Sequence, residues 1–301
     1  MVKRDPSTLS ALDFKALISP TSPAKFFKTH WGRRHLTAKL APRFRAALAA
    51  ELCIDDIEKL FSHSKKTMAW FESLEGDYHS MDVPSARNAL DLYMAGMTLY
   101  LADMATPLIM EWHQRLAAEI GHSGQRITFS VFAARRSGRT RCHYDNLENF
   151  TIQLRGSKTW KLAPNRFLPV PLHNWVTGMP PNSEQLRYAR GTLPKTIPSM
   201  HKKVVLEPGD VLYIPRGYLH EVDASEDSIS LFVAFQCHPW ASFVTDRLFA
   251  HFVQDERWRE NAVAEWKGSY QQDGAQARLA ILLKQFKEVV AKLKVSDLID
   301  D

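Results

Sequence analysis

Several common protein classes are excluded by what this sequence has little of. Its three cysteines, Cys53, Cys142 and Cys237, are an odd number without paired spacing, which argues against a disulfide framework and predicts a reducing, cytoplasmic setting. The longest apolar runs, such as the one from Met94 to Leu101, fall far short of the ~20 residues that cross a bilayer. Lys3, Arg4 and Asp5 lead into polar residues rather than a signal-peptide core, so a soluble intracellular chain with no membrane partner is expected. No glycine-rich phosphate loop, internal repeat or low-complexity tract occurs. Neither sign of charge dominates, since 39 Lys and Arg against 33 Asp and Glu leave only +6. Such a balance permits an acidic or nucleic-acid partner without requiring one.

With 301 residues, 45% of them hydrophobic, the chain is long enough to bury one sizeable core and a smaller helical appendage. Its most informative stretch is Thr140-Arg141-Cys142-His143-Tyr144-Asp145, answered later by Leu219-His220-Glu221. His143 and Asp145 are two apart, so on an extended strand both side chains point the same way. Joined by His220 from a later strand, they compose the two-histidine, one-carboxylate set that holds non-haem Fe(II) with open coordination positions. Alone, a His-x-Asp pair is most often an ordinary surface feature; the surroundings give this one its weight. Cys142 alternates to the opposite face and reads as a small buried apolar residue.

Before this stretch the pattern is mixed and mainly helical. Ser22-Pro23, Ser85 and Thr106-Pro107 suit helix starts, and Leu108, Trp112, Leu116 and Ile120 repeat at helical spacing until Gly121. His30-Trp31-Gly32-Arg33-Arg34-His35 fits neither a metal nor a phosphate site and reads as a solvated turn. From Arg126 the period becomes two, with Ile127, Phe129 and Val131 on one face of a strand. Phe150–Leu154 and Lys158–Leu162, joined at Arg155-Gly156-Ser157, read as a hairpin. Pro164–Lys203, with prolines recurring as far as Pro198, is expected to be a lid or binding loop, because an idle loop of that length is uncommon. Strands resume at Val204–Leu206, Val211–Ile214 and around His220, and Ser228–Phe235 closes the set. After Trp240 the period is helical again, and a stripe through Leu279, Leu282, Leu283, Phe286, Val289, Val290 and Leu293 suits packing on its own domain or on a second copy of the chain, with a homodimer favoured. Three regions follow: a mixed, mainly helical lead-in over 1–125 that packs on the barrel and includes a short strand at Thr98–Leu101, a β core over 126–238 and a helical, dimerising region over 239–301.

The residues from His143 to Lys158, with Asn149, Phe150, Gln153 and Gly156 between, resemble the JmjC group of cupin-fold 2-oxoglutarate oxygenases, especially the hypoxia-factor asparaginyl hydroxylase. Phe26–Leu36, Ala95–Leu99 and Leu206–Gly217 resemble the ribosomal-oxygenase branch of that group. The resemblance implies a mainly β fold, a double-stranded β-helix (jelly roll) with helical flanks. It implies His143, Asp145 and His220 as iron ligands, Lys158 and Thr140 as partners of the distal carboxylate of 2-oxoglutarate, and Asn149 as a residue lining that pocket. Fe(II), 2-oxoglutarate and O2 would be the cofactors, succinate and CO2 the co-products, and a side chain of a protein or peptide the substrate. N-methyl demethylation, hydroxylation of a small molecule or RNA, and a non-catalytic metal-binding cupin are the alternatives. The sequence departs from the hypoxia-factor enzyme near Ala234 and Phe235, where an asparagine of that enzyme lines the pocket. Arg135, Arg136, Arg139 and Arg141 crowd the approach to His143 and read either as a solvated turn or as a contact for an acidic partner; few aromatics interleave them, which disfavours RNA.

Overall fold

The computed structural model describes residues 11–72, 78–120, 127–236, 238–260 and 272–298; Gly121, Arg126 and Cys237 lie outside them. In chain order the elements are α1 (Phe14–Leu17), α2 (Pro23–Thr29), β1 (Leu36–Lys39), α3 (Pro42–Glu51), α4 (Ile57–Ser62), β2 (Lys66–Glu72), β3 (Tyr78–Asp82), α5 (Ala86–Met94), β4 (Thr98–Ala102), α6 (Pro107–Ile120), β5 (Ile127–Ala134), β6 (Arg139–Tyr144), β7 (Leu147–Arg155), β8 (Lys158–Ala163), β9 (Trp175–Val176), α7 (Ser183–Tyr188), β10 (Lys202–Leu206), β11 (Asp210–Ile214), β12 (Leu219–Ala224) and β13 (Ser228–Gln236). A second compact unit, residues 238–301, holds α8 (Trp240–Phe252), α9 (Glu256–Arg259) and α10 (Gln272–Lys292).

Helix starts follow the local chemistry. Ser22, Ser85 and Thr106 each accept a hydrogen bond from a backbone N–H of the first turn, at 3.4, 3.2 and 3.3 Å, and Pro23 and Pro107 occupy first-turn positions where no donor is lost. Gly96, just past α5, takes φ +93° to end it.

The strands form two antiparallel sheets, one of eight in the order β1-β11-β7-β13-β5-β4-β2-β3 and one of five in the order β10-β8-β12-β6-β9. Together with the helical flanks they make the mainly β, jelly-roll architecture expected. Period-two alternation divides the larger sheet between two environments. Phe129, Val131, Phe150, Ile152, Ile229, Leu231, Val233 and Phe235 join the main core with Phe14, Phe26, Leu48, Leu60, Trp112 and Leu116 from the helices. The opposite face, including Phe132, Thr151, Ser230 and Phe232, lines a cavity. Truncating any one of the fully buried aliphatics of that core costs about 2–5 kcal/mol.

Two local expectations are corrected. The strands around Gly156 are not a hairpin: β7 pairs with β11 and β13, whereas β8 pairs with β10 and β12. The tight turn between them carries the chain from one sheet to the other. Gly156 sits there at φ +63°, and a Cβ would fall 2.2 Å from the Asp227 carbonyl oxygen, so only glycine fits. The turn after α2 is not simply solvated either. Trp31 stacks on Tyr213 with ring centroids 6.0 Å apart, and the Gly32 N–H donates to the Tyr213 hydroxyl at 2.9 Å. That hydroxyl in turn donates to buried Glu148, whose carboxyl is raised above the usual range by burial. The turn then leads into β1, which pairs with β11. Strands β2 and β3 were also unanticipated; they extend the larger sheet from within the first 125 residues.

In the 238–301 unit, Phe252 stacks on Phe286 at 5.2 Å and tilts against Trp258 at 4.4 Å. Trp258 donates through its indole N–H to Gln285 at 3.0 Å. Leu279, Ile281, Leu283 and Val290 of α10 remain exposed. No described helix is long and apolar enough to cross a membrane.

Candidate active site

Strands β6 and β12 set the three sequence-predicted ligands against one another. His143 lies directly opposite His220 in their register, with ring centroids 3.9 Å apart. Asp145, one residue beyond the end of β6, brings Oδ2 to 3.6 Å from His220 Nε2. One ligand atom from each of the three residues lies within 4.8 Å of the others.

Each imidazole is held by its backbone surroundings. His143 Nδ1 lies 2.7 Å from the Arg141 carbonyl oxygen and His220 Nδ1 lies 2.9 Å from that of Tyr218. A carbonyl only accepts, so each Nδ1 carries the proton and each Nε2 presents a lone pair toward the site. Burial, followed by the neighbouring His143, pushes the His220 pKa down to about 4, which keeps that imidazole neutral. Two imidazoles and a carboxyl group with mutually close donor atoms fit a divalent transition metal, and this donor set suits non-haem Fe(II).

The same three residues line a cavity of about 560 Å³ together with Lys158, Thr140, Thr151, Ser230 and Trp160. Lys158 stands on β8 opposite Ala224, four positions past His220 along β12. It is buried, donates to Ser230 Oγ at 2.7 Å and has no carboxylate partner among the described residues. Burial alone brings its pKa down to about 7. A buried cation without a counter-ion is costly, and a bound anion would remove the cost.

Thr140 reaches this cavity by an irregularity the sequence did not reveal. It lies three positions before His143, so strict alternation would turn it away. Between the pairs His220–His143 and Val222–Thr140 the register shifts by one residue, and this bulge brings both side chains to the cavity face. Asn149 is placed differently. It is buried opposite Ala234 on the cavity side of β7, with both amide atoms unpartnered among the described residues, but it is not part of the cavity surface. The apolar place near Ala234 is therefore directly beside it.

Cys142 points to the other face, as alternation requires, into a small cluster with Tyr144, Leu168, Trp175 and Leu219. Burial raises its thiol to about 11, leaving a protonated, inert group. The proline-rich excursion covers this side. Trp175, Met179, Asn182 and Gln185 from it line the cavity; the Gln185 side-chain amide donates to the Tyr144 hydroxyl at 3.0 Å, and Asn182 and Gln185 form a reciprocal cap on α7. The arginine-rich approach is largely neutralised within the chain: Arg135 pairs with Asp227 at 3.0 Å, Arg139 with Asp223 at 3.6 Å and Arg141 with Glu72 at 2.6 Å. Sequence reasoning missed the aromatic wall of the cavity, Trp70, Tyr100, Phe132, Trp160 and Phe232, because its members come from strands far apart in the chain.

The chain is similar to several known proteins. The JmjC domain family matches residues 104–243. An uncharacterized Bacillus subtilis protein, YxbC, is 28% identical over 262 residues, covering 83% of this chain and 78% of its own. The chicken (Gallus gallus) protein named ribosomal oxygenase 1 is 24% identical over 297 residues, 93% of this chain but 47% of its own length. This chain thus spans about half of that relative. Among solved structures, YcfD, a ribosomal oxygenase from Escherichia coli in complex with cobalt and 2-oxoglutarate, superposes with a TM-score of 0.52 at 17% identity, over 91% of this chain and 68% of that one. At that identity the likeness speaks for the fold.

Proposed function

We propose that this chain, a 2-oxoglutarate-dependent dioxygenase whose residues 104–243 form a JmjC domain and which resembles the ribosomal oxygenases, hydroxylates a C–H bond in an amino-acid side chain of a protein or peptide. The observation that carries this reading is a single cavity holding both the close-set donors of His143, Asp145 and His220 and the buried Lys158, which has no carboxylate partner among the described residues. In this reading those three residues hold Fe(II), Lys158 and Thr140 take the distal carboxylate of 2-oxoglutarate, and Asn149 supports the pocket from behind its wall. When bound, iron and 2-oxoglutarate with O2 supply the oxidising chemistry, with succinate and CO2 as co-products and one oxygen atom delivered to the substrate.

The chain's own residues orient and exclude. The Arg141 and Tyr218 carbonyls hold both imidazoles in the tautomer that leaves Nε2 free. Trp160, which stacks against His220 at 5.8 Å, and the other aromatic walls keep water from the reacting end and raise the strength of every charge contact inside. Trp175, Met179 and Pro180 from the excursion line the cavity, where they would aim one substrate carbon at the centre. The same proposal includes a homodimer joined through the exposed apolar side chains of α10, acting in a reducing cytoplasm in which Cys53 and Cys142 remain free thiols.

Anaerobic incubation with Fe(II), 2-oxoglutarate and candidate peptides, followed by admission of O2, tests the activity by mass spectrometry. The expected product is heavier by one oxygen atom and absent with His143→Ala. Formaldehyde release with loss of a methyl group would identify a demethylase instead, and no succinate from any substrate would leave only a binding protein.

A further inference from the structure

The positive charge of this chain is concentrated in the proline-rich excursion. Residues 164–203 hold six Lys and Arg against Glu184 alone, which leaves +5 of the chain's +6 in that segment. Glu184 is already taken, by His173 at 2.7 Å. Arg166, Arg187, Arg190, Lys195, Lys202 and Lys203 are all exposed, and none has a carboxylate partner among the described residues. They differ in this from the arginines before His143, which are spent on acids of the chain itself.

The way the excursion packs gathers these cations. Phe167, Leu168, Tyr188, Ala189, Leu193 and Ile197 turn inward onto one small apolar cluster, so their neighbours Arg166, Arg187, Arg190 and Lys195 are left on its outside. The Arg190 N–H donates to the Phe167 carbonyl at 2.6 Å, which sets Arg190 close to Arg166. Lys202 of β10 lies opposite Leu162 of β8, four positions before Arg166, a span of at most about 14 Å along the chain. Glu221 and Asp223 of β12 do not offset this charge, because Lys161 holds both, at 2.5 and 3.8 Å.

Exposed aliphatic side chains stand among the cations, namely Val170, Leu172, Leu186 and Met200. The aromatic rings of the excursion, Phe167, Trp175 and Tyr188, are buried or half-buried. Nucleic-acid bases are bound by stacking on accessible rings, and this surface offers none. Arginine and methionine set among aliphatics suit a protein partner instead, and the unpaired cations require that partner to be acidic.

We propose that the outer surface of residues 164–203 docks an acidic, aliphatic stretch of polypeptide, the part of the substrate that stays outside the cavity. The proposal rests on the reading of the substrate as a protein or peptide. Helix α7 joins the two surfaces: Gln185 lines the cavity, whereas Leu186 and Arg187 face solvent, so a chain leaving the cavity across α7 meets the arginines.

The test is binding, without turnover. A library of random dodecapeptides is panned on the full chain, and the selected peptides are measured by fluorescence anisotropy. They should be enriched in Asp and Glu together with Leu, Ile and Val over the starting library, and should bind more weakly as salt rises. Combining Arg166→Glu, Arg187→Glu and Arg190→Glu should weaken them about tenfold or more, because three small surface attractions become repulsions. Combining Lys15→Glu, Lys25→Glu and Lys28→Glu on α1 and α2 changes the net charge equally and should leave the affinity as it was. Selected peptides without acidic enrichment, or unchanged affinity in the arginine variant, overturn the proposal. Equal losses in both variants overturn it too, since they mark a response to net charge alone. Tighter binding of a random RNA pool, or of phosphatidylglycerol vesicles, through the same arginines would assign the surface to that partner and overturn it as well. Should the triple variant fail to fold, Arg187→Glu and Arg190→Glu decide singly, each by a smaller loss in the same direction. The hydroxylase reading fails separately, on the absence of an oxygen-bearing product in the mass-spectrometric assay above, which these binding measurements do not involve.

Discussion

Lys158 has lost the water that keeps an ordinary lysine charged, and a pKa near 7 is the consequence. A dianion beside it restores the charged form, so 2-oxoglutarate binding should take up a proton near and above neutral pH. Calorimetry in two buffers of different ionisation enthalpy would measure that uptake, and the affinity should fall as pH rises beyond 7. The stability consequence has the opposite sense. Between the folded value near 7 and the ordinary lysine value above 10, the unfolded chain binds more protons than the folded one, so this group's burial is least costly at high pH. Lys158→Met should therefore raise the melting temperature at pH 6 more than at pH 9, while weakening 2-oxoglutarate at least 10- to 100-fold, the range for losing a hydrogen-bonded charge. A variant with unaltered co-substrate affinity would remove Lys158 from its assigned role. At this scale the sequence was a poor guide to state: nothing in Gly-Ser-Lys158 says whether the lysine is buried, because burial depends on a facing sheet.

The elements around the site differ in how far a local pattern prescribes them. Alternation placed His143 and Asp145 together and Cys142 away from them, since side-chain direction on a strand depends only on parity. The same rule failed for Thr140, because the bulge in β6 against β12 is a property of the pair and not of either strand. It also failed at Gly156, where a turn suited to a hairpin instead joins two sheets. Gly156→Ala should destabilise the protein by roughly 2–4 kcal/mol through left-handed strain and collision with Asp227, read as a lower urea midpoint with an unchanged slope. Helix α7 makes a milder test. Gln185→Ala removes the amide that reaches the Tyr144 hydroxyl and half of the cap with Asn182, an expected loss of about 1–3 kcal/mol for a buried hydrogen bond. Faster amide exchange confined to residues 183–188, with metal affinity retained, is the outcome that fits an anchor for the cavity wall; uniform exchange across the sheets would show a global role instead.

For the whole molecule, the sharpest expectation concerns α10, whose exposed Leu279, Leu283 and Val290 share one helical stripe while Phe286 turns to Phe252 within its own unit. The sequence could not separate these two uses of the stripe, because periodicity identifies an apolar face without saying what covers it. Light scattering should give twice the monomer mass for the unaltered chain and the monomer mass for Leu283→Glu; a monomer in both would end the dimer proposal. The sequence by itself determined the candidate ligand set, the parity of the strand that carries two of its members, the helix caps and the period switch that announced a β-rich core, all of which depend on neighbours within a few positions along the chain. Only the tertiary structure decided that β7 and β8 belong to different sheets, that the arginines near His143 are spent on Asp227, Asp223 and Glu72, and that Thr151, Ser230 and Lys158 meet in one cavity. Those facts depend on pairings between residues dozens of positions apart, and such pairings are selected by the burial of a common core, which no local pattern contains.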